Sequence, residues 1–146
     1  MSTNIYVSST GDWSNTAGWH NADVPDSADS ALLIDNDAVS VSAGLSQGAV
    51  ELAKLMIVDF PNNVGSSGSP LIIGAGTVQI LGNTGNVYIQ NDSSGANSWF
   101  INSMNRTSAA TLTGSATYTR IVINRGVVTI TGGTITQVPR RPSHRT

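Results

Sequence analysis

The stretch LAKLMIVDFPNNVGSSGSPLIIGAGTVQILG, Leu52 to Gly82, carries three apolar runs separated by corners of Pro, Asn, Gly and Ser. LAKLMIVDF (52–60), PLIIG (70–74) and TVQILG (77–82) are rich in Val, Ile and Leu, and the residues between them are those that end strands. Ile57 and Ile80 hold corresponding places in the first and third of these runs. The spacing continues in both directions. Ile34 precedes Ile57 by the same interval that separates Ile57 from Ile80, and Ile101 and Ile123 follow at nearly equal steps. A second, less regular series runs through Val41, Ile73, Ile89, Leu112 and Ile130. A repeat of about 22 residues with two or three short strands in each is the pattern of a parallel β-solenoid. In that fold Ile34, Ile57, Ile80, Ile101 and Ile123 are expected to stack as one interior column.

The remaining runs read the same way: ALLID (31–35), AVSVS (38–42), NVYIQ (86–90), SWFIN (98–102), ATLTG (110–114), YTRIVIN (118–124), VVTIT (127–131) and TITQV (134–138). LSQGAVELAKLM (45–56) has weak helical spacing, but Gly48 and the β-branched continuation count against a helix. An antiparallel sandwich or jelly roll would also supply many short strands. Its two-residue hairpins are marked by Asn-Gly or Asp-Gly, and the chain contains neither. The expectation is therefore all-β: a right-handed parallel β-solenoid of about five coils, with the antiparallel sandwich as the alternative.

Composition agrees with this reading and excludes several functions. Ser, Thr, Asn and Gly make up about two-fifths of the 146 residues, and 11% are charged, against a usual value of about 25%. So little charge argues against a nucleic-acid partner. The absence of cysteine removes disulfides and thiolate metal sites. No apolar run has the length of a bilayer span, and the N-terminus reads as no signal peptide, so the expected site of synthesis is a cytoplasm and no membrane partner is expected. The charge is also unevenly placed. Residues 1–60 hold eight carboxylates against Lys54 alone, a net −7, whereas residues 61–146 hold six arginines against Asp92, a net +5. Such a dipole favours orientation of copies in an assembly.

Two of the eight aromatic residues, Trp13 and Trp19, stand six apart in GDWSNTAGWHNADVPDSADSALLID (11–35). A solenoid's end coil exposes its apolar interior and unpaired edge, so it needs a cap. The pair, with Ile5, Tyr6 and Val7, is expected to form that lid, the other reading being an exposed sugar-stacking platform. The chain then divides into a cap segment (1–30), a solenoid body (31–138) and a basic arm (139–146).

Gly11, Trp13, Ser14, Trp19, Val24-Pro25, Asp29 and the strand ALLID together resemble the opening of bacterial and bacteriophage β-solenoid proteins. GLSQGAVELAKLMI followed by NNVGSSGSPLIIGA is similar to short phage-encoded proteins of that kind. The resemblance covers roughly the first half of the chain and rests on structural motifs. It implies a virion protein, either a capsid decoration (cement) protein or a tail-associated module that recognises a host glycan.

Little in the sequence suggests catalysis. His20 and His144 lie at opposite ends of the chain, and no nucleophile or metalloprotease motif is present. Asp23, Asp26, Asp29, Asp35 and Asp37 have the oxygen ligands for calcium but not the spacing of a calcium loop, and capping of turns and strand ends is the expected role. No catalytic residue, cofactor or metal is assigned. Arg106, Arg120 and Arg125 are expected to face outward on late coils, where arginines stacked in a ladder would meet an acidic partner. Arg140, Arg141 and Arg145 make the C-terminal arm, in which Pro139 and Pro142 block regular structure. The functional expectation is a non-enzymatic virion protein. Its partners would be the major capsid protein or another virion protein and further copies of itself, a trimer being one form.

Overall fold

A computed structural model describes residues 2–95 and 98–136. The chain forms a parallel β-solenoid of about five turns, with no α-helix among the described residues. The named strands are β1 (Thr3–Ile5), β2 (Ser30–Ile34), β3 (Ser46–Val58), β4 (Leu71–Leu81), β5 (Val87–Gln90), β6 (Ser98–Ser103), β7 (Ala109–Thr113), β8 (Thr117–Arg125), β9 (Val127–Ile130) and β10 (Thr134–Ile135). All pairings between them are parallel. That rules out the antiparallel sandwich. The segment LSQGAVELAKLM, weighed as a helix, lies largely in β3, which bends at a register irregularity between Gln47 and Glu51.

Each coil contributes one row to each of two faces. The first face stacks β1, β2, the C-terminal part of β3, that of β4, β6, β8 and β10. The second stacks the beginnings of β3 and β4 with β5, β7 and β9, preceded by bridges from Val41 to Val64 to Val87. The interior of the first face holds two columns, Ala31–Leu55–Val78–Phe100–Ile121 and Leu33–Ile57–Ile80–Asn102–Ile123. The second face supplies Val64–Val87–Ala110–Val128 and Leu71–Ile89–Leu112–Ile130. Most of these side chains are fully buried.

The isoleucine column differs from the expected one. Ile57 and Ile80 pair directly and are buried. Ile34, however, pairs with Val58, and Ile101 with Gln79, which puts both on the outer side of the sheet. The inward residues at those rows are their neighbours Leu33 and Asn102. Side chains alternate along a strand, so a one-residue error in register moves a side chain from core to surface. Ile123 does lie in the inward column, but in the last full row, where it is 49% exposed.

The corners are bonded from coil to coil by short polar side chains. The Ser40 hydroxyl accepts from the Asn63 N–H (3.1 Å), Asn63 Oδ1 from the Asn86 N–H (2.8 Å), and Asn86 Oδ1 from the Ala109 N–H (3.0 Å). Each of these bonds joins residues separated by one and the same interval, a full coil. Beside them Asn62 donates to the Ala38 carbonyl and Ser108 to the Thr84 carbonyl. The opposite corner turns on Asn91, whose side chain accepts from and donates to the backbone of Ala75 and donates to the Tyr118 hydroxyl. Gly114, at φ +102°, passes close over the Asn91 carbonyl where a Cβ would collide. Corner backbone that cannot join the ladder is satisfied in this way, as buried polar groups require.

The first coil is closed by aromatic rings. Trp13 and Trp19 are buried, with ring centroids 4.7 Å apart and edge-to-face. Tyr6 lies 5.3 Å from Trp19 and 6.1 Å from Phe60. Trp19 Nε1 donates to the Trp13 carbonyl at 2.8 Å, which fixes the pair. A short 3₁₀ turn, Thr16–Gly18, joins the two tryptophans and is capped by the Asn15 side chain on the Ala17 N–H.

The two sides of the sheet respond differently to charge. Ile80→Asp places an unpaired carboxylate between coils and is expected to cost about 4 kcal/mol or more in chemical denaturation. Ile101→Asp, one sheet side away, is expected to cost about 1 kcal/mol or less. Equal losses would contradict the assigned register.

Candidate interaction surface

The outer side of the first face is built from the same strands as the core. Its central column is Ile5–Leu32–Met56–Gln79–Ile101–Val122, all half-buried. Beside it runs Ile34–Val58–Leu81–Ser103, in register with Arg125 in the last row. On its other flank is Thr3–Ser30–Lys54–Thr77–Trp99–Arg120. The middle of this face is thus a nearly continuous apolar strip along the solenoid. Contiguous apolar surface of this kind, with a polar flank on one side, is a candidate for docking.

A signal for this face is present in the sequence. LLI, LMIV, QIL and IVI place apolar residues at successive positions rather than at alternate ones. Strands that read so are apolar on both sides. The isoleucine period does not reveal it, because a period does not distinguish inner from outer residues.

The arginines are distributed differently from the expected ladder. Arg106 lies in the corner between β6 and β7, away from the flat face. Arg120 and Arg125 are exposed on β8, and their register partners in the preceding coil are Trp99 and Ser103 rather than arginine. Arg120 instead lies over the Trp99 ring, 5.3 Å from its centroid. Trp99 is 43% exposed, in contrast to the buried Trp13 and Trp19, which have no surface to offer a sugar. Arg140, Arg141, Arg145 and the whole of the basic arm lie outside the described residues.

Of the N-terminal carboxylates, Asp12, Asp26 and Asp29 are bonded within turns. Asp29 accepts from the N–H groups of Asp26 (3.1 Å) and Ser2 (2.8 Å), which tie the chain's beginning to the start of β2. Asp26 accepts from the Ser27 N–H. Among the described residues no group of three or more His, Cys, Asp or Glu is placed to hold a metal ion. The bonds from Asp26 and then Ser2 draw the Asp29 carboxyl below its ordinary value. Asp92 is lowered too, chiefly by the Gln90 side chain and then by Ser115. Burial raises the phenols of Tyr6 and Tyr118.

Comparison with protein-family models, with curated proteins and with solved structures finds no match.

The lowered carboxylates set a direction for acid stability. Their contribution is present above the unfolded carboxylate value of about 3.9 and is lost as pH falls through the lower folded values. Asp29→Asn should cost about 1–2 kcal/mol at pH 7. Its deficit against the parent chain should shrink progressively toward pH 3 in denaturation series. A deficit that stays constant with pH would show that the charged form of Asp29 contributes nothing.

Proposed function

We propose that this chain is a non-enzymatic structural protein that acts by docking the outer side of its first face against protein. Its specific setting would be a virion, as a capsid decoration or cement protein binding the major capsid protein or a neighbouring virion protein. The observation that carries the docking role is the apolar strip formed by Leu32, Met56, Ile101 and Val122, flanked by Ile34, Val58 and Leu81. A rigid sheet face of fixed register suits such a role, since little conformational entropy is lost on binding. The virion setting rests on the resemblance of the N-terminal half to phage β-solenoid proteins. Synthesis in a host cytoplasm followed by incorporation into the particle fits a chain without cysteine.

A second reading is favoured by Trp99, a tail-associated module that recognises a host glycan. Its exposed ring, with Arg120 beside it, is the kind of surface on which a sugar stacks.

Gold labelling of virions made in cells that express the tagged chain separates the readings. Label over the head shell is the expected result. Label confined to the tail tip, with a glycan-array signal abolished by Trp99→Ala, would transfer the function to receptor binding. Particles free of label would overturn both.

A further inference from the structure

The two ends of the coil stack differ in charge as well as in cover. At the N-terminal end the outer edge of β1 is already taken up. The His20 N–H donates to the Ile5 carbonyl at 2.9 Å, the Val7 N–H donates to the Gly18 carbonyl at 2.8 Å, and Tyr6 bridges Trp19 in antiparallel sense. At the other end, among the described residues, β8 pairs with β6 along its length but with β10 only at Thr117 and Tyr118. The Thr136 N–H reaches the Tyr118 carbonyl, and there the described ladder stops. From Arg120 to Arg125, β8 therefore has one neighbouring strand, just as β9 has β7 alone. The inward residues of these last rows, Ile121, Ile123, Val128 and Ile130, are partly or largely exposed. Their partners one row back, Phe100, Asn102, Ala110 and Leu112, are buried. A strand edge backed by apolar side chains is a template for one more strand.

The sequence beyond Thr136 is a poor cover for this edge. Carried on in the register of β10, it would set Gln137 and Val138 on Arg120 and Ile121, then Pro139 and Arg140 on Val122 and Ile123. Proline has no N–H to give a ladder, and an arginine over Ile123 would bring a charge into the interior. A second copy fits no better. Two such ends brought together would oppose Arg120 and Arg125 to their own counterparts, and like charges so placed repel. The edge calls instead for negative charge. Residues 98–136 hold Arg106, Arg120 and Arg125 and neither Asp nor Glu. Arg120 and Arg125 are exposed at the two ends of the unpaired stretch, with Ile121 and Ile123 on the inner side between them.

We infer that this edge takes up an extended segment of a partner protein, apolar at its centre and acidic at both ends, as an added strand on β8. Two apolar residues at alternate positions would cover Ile121 and Ile123. Carboxylates before and after them would meet Arg120 and Arg125 in charge-assisted bonds. Main-chain hydrogen bonds supply affinity in such strand addition, and the alternate side chains supply selectivity. The contact uses the edge of the last row rather than the outer side of the first face, so it stands whether or not that face docks.

The probe is a fluorescein-labelled peptide, Asp-Glu-Val-Thr-Val-Glu-Asp, whose palindromic order serves a parallel or an antiparallel strand alike. Titrated with the full chain at low salt, it should show a saturable rise in anisotropy. The same peptide with Lys in place of every acid should show none. N-methylation of the Val-Thr-Val centre removes strand N–H groups at unchanged charge and should weaken binding about tenfold or more. Arg125→Ala, at an exposed side chain, should leave the fold intact and weaken binding about three- to fivefold. No rise in anisotropy up to about 1 mM protein would overturn the inference. So would equal binding of the basic peptide, or of the N-methylated one, which would mean attraction without a strand. An unchanged affinity in Arg125→Ala would overturn it as well, since the peptide would then lie elsewhere.

Discussion

In-register parallel stacking, with one coil laid about 4.8 Å above the last, governs everything else in this molecule. It obliges each side chain to sit on its equivalents in the neighbouring coils. An interior position must therefore be apolar through the stack or bonded within it. Leu33, Ile57 and Ile80 meet the first condition. Asn102, next in that column, meets the second through the Arg125 carbonyl, to which its amide donates. At the corners the same stacking brings Ser40, Asn63 and Asn86 above one another. Each can then satisfy an N–H of the following coil that no strand reaches.

Stacking also creates two ends, and the chain treats them differently. The N-terminal end is closed by Tyr6, Trp13, Trp19 and Phe60, whose rings pack over the first coil, Tyr6 stacked on Trp13 and the other pairs edge to face. Toward the other end of the described residues, side chains in or beside interior columns emerge into solvent, with Ile123 49% and Val127 55% exposed. A repeat architecture is stabilised by its nearest-neighbour interfaces. Among the described residues, β9 and β10 pair on one side only, so they are expected to open more readily than the middle rows.

The architecture was legible in the sequence because stacking imposes a period. Apolar runs returning at nearly equal steps, Asn- and Gly-rich corners and the absence of hairpin dipeptides all led to a solenoid. The tryptophan lid was legible for a related reason: large rings placed ahead of the first strand have an open coil to cover. Register was not. In LLID and SWFIN apolar residues sit on both sides of the strand, so nothing in the pattern tells Ile34 from Leu33 as the inward residue. At Ile101 the inward neighbour is a polar Asn102 whose partner is a distant carbonyl. The arginine ladder failed similarly, since a shared strand position is not a shared row. Arg120 finds Trp99 beneath it, and Arg106 belongs to a corner. The apolar outer face itself was written in the consecutive apolar residues, but it becomes a surface only when the rows are aligned.

The stack of coils is closed at its N-terminal end by aromatic rings, and its last described rows are expected to be the least firmly held. Residue-resolved hydrogen exchange of the folded chain tests this most directly. Slowest exchange is expected for the ladder amides of β2, β3 and β4, intermediate exchange in β6 and β7, and fastest in β9 and β10. Exchange that is fastest in β1 and β2, or uniform from β2 to β10, would contradict this.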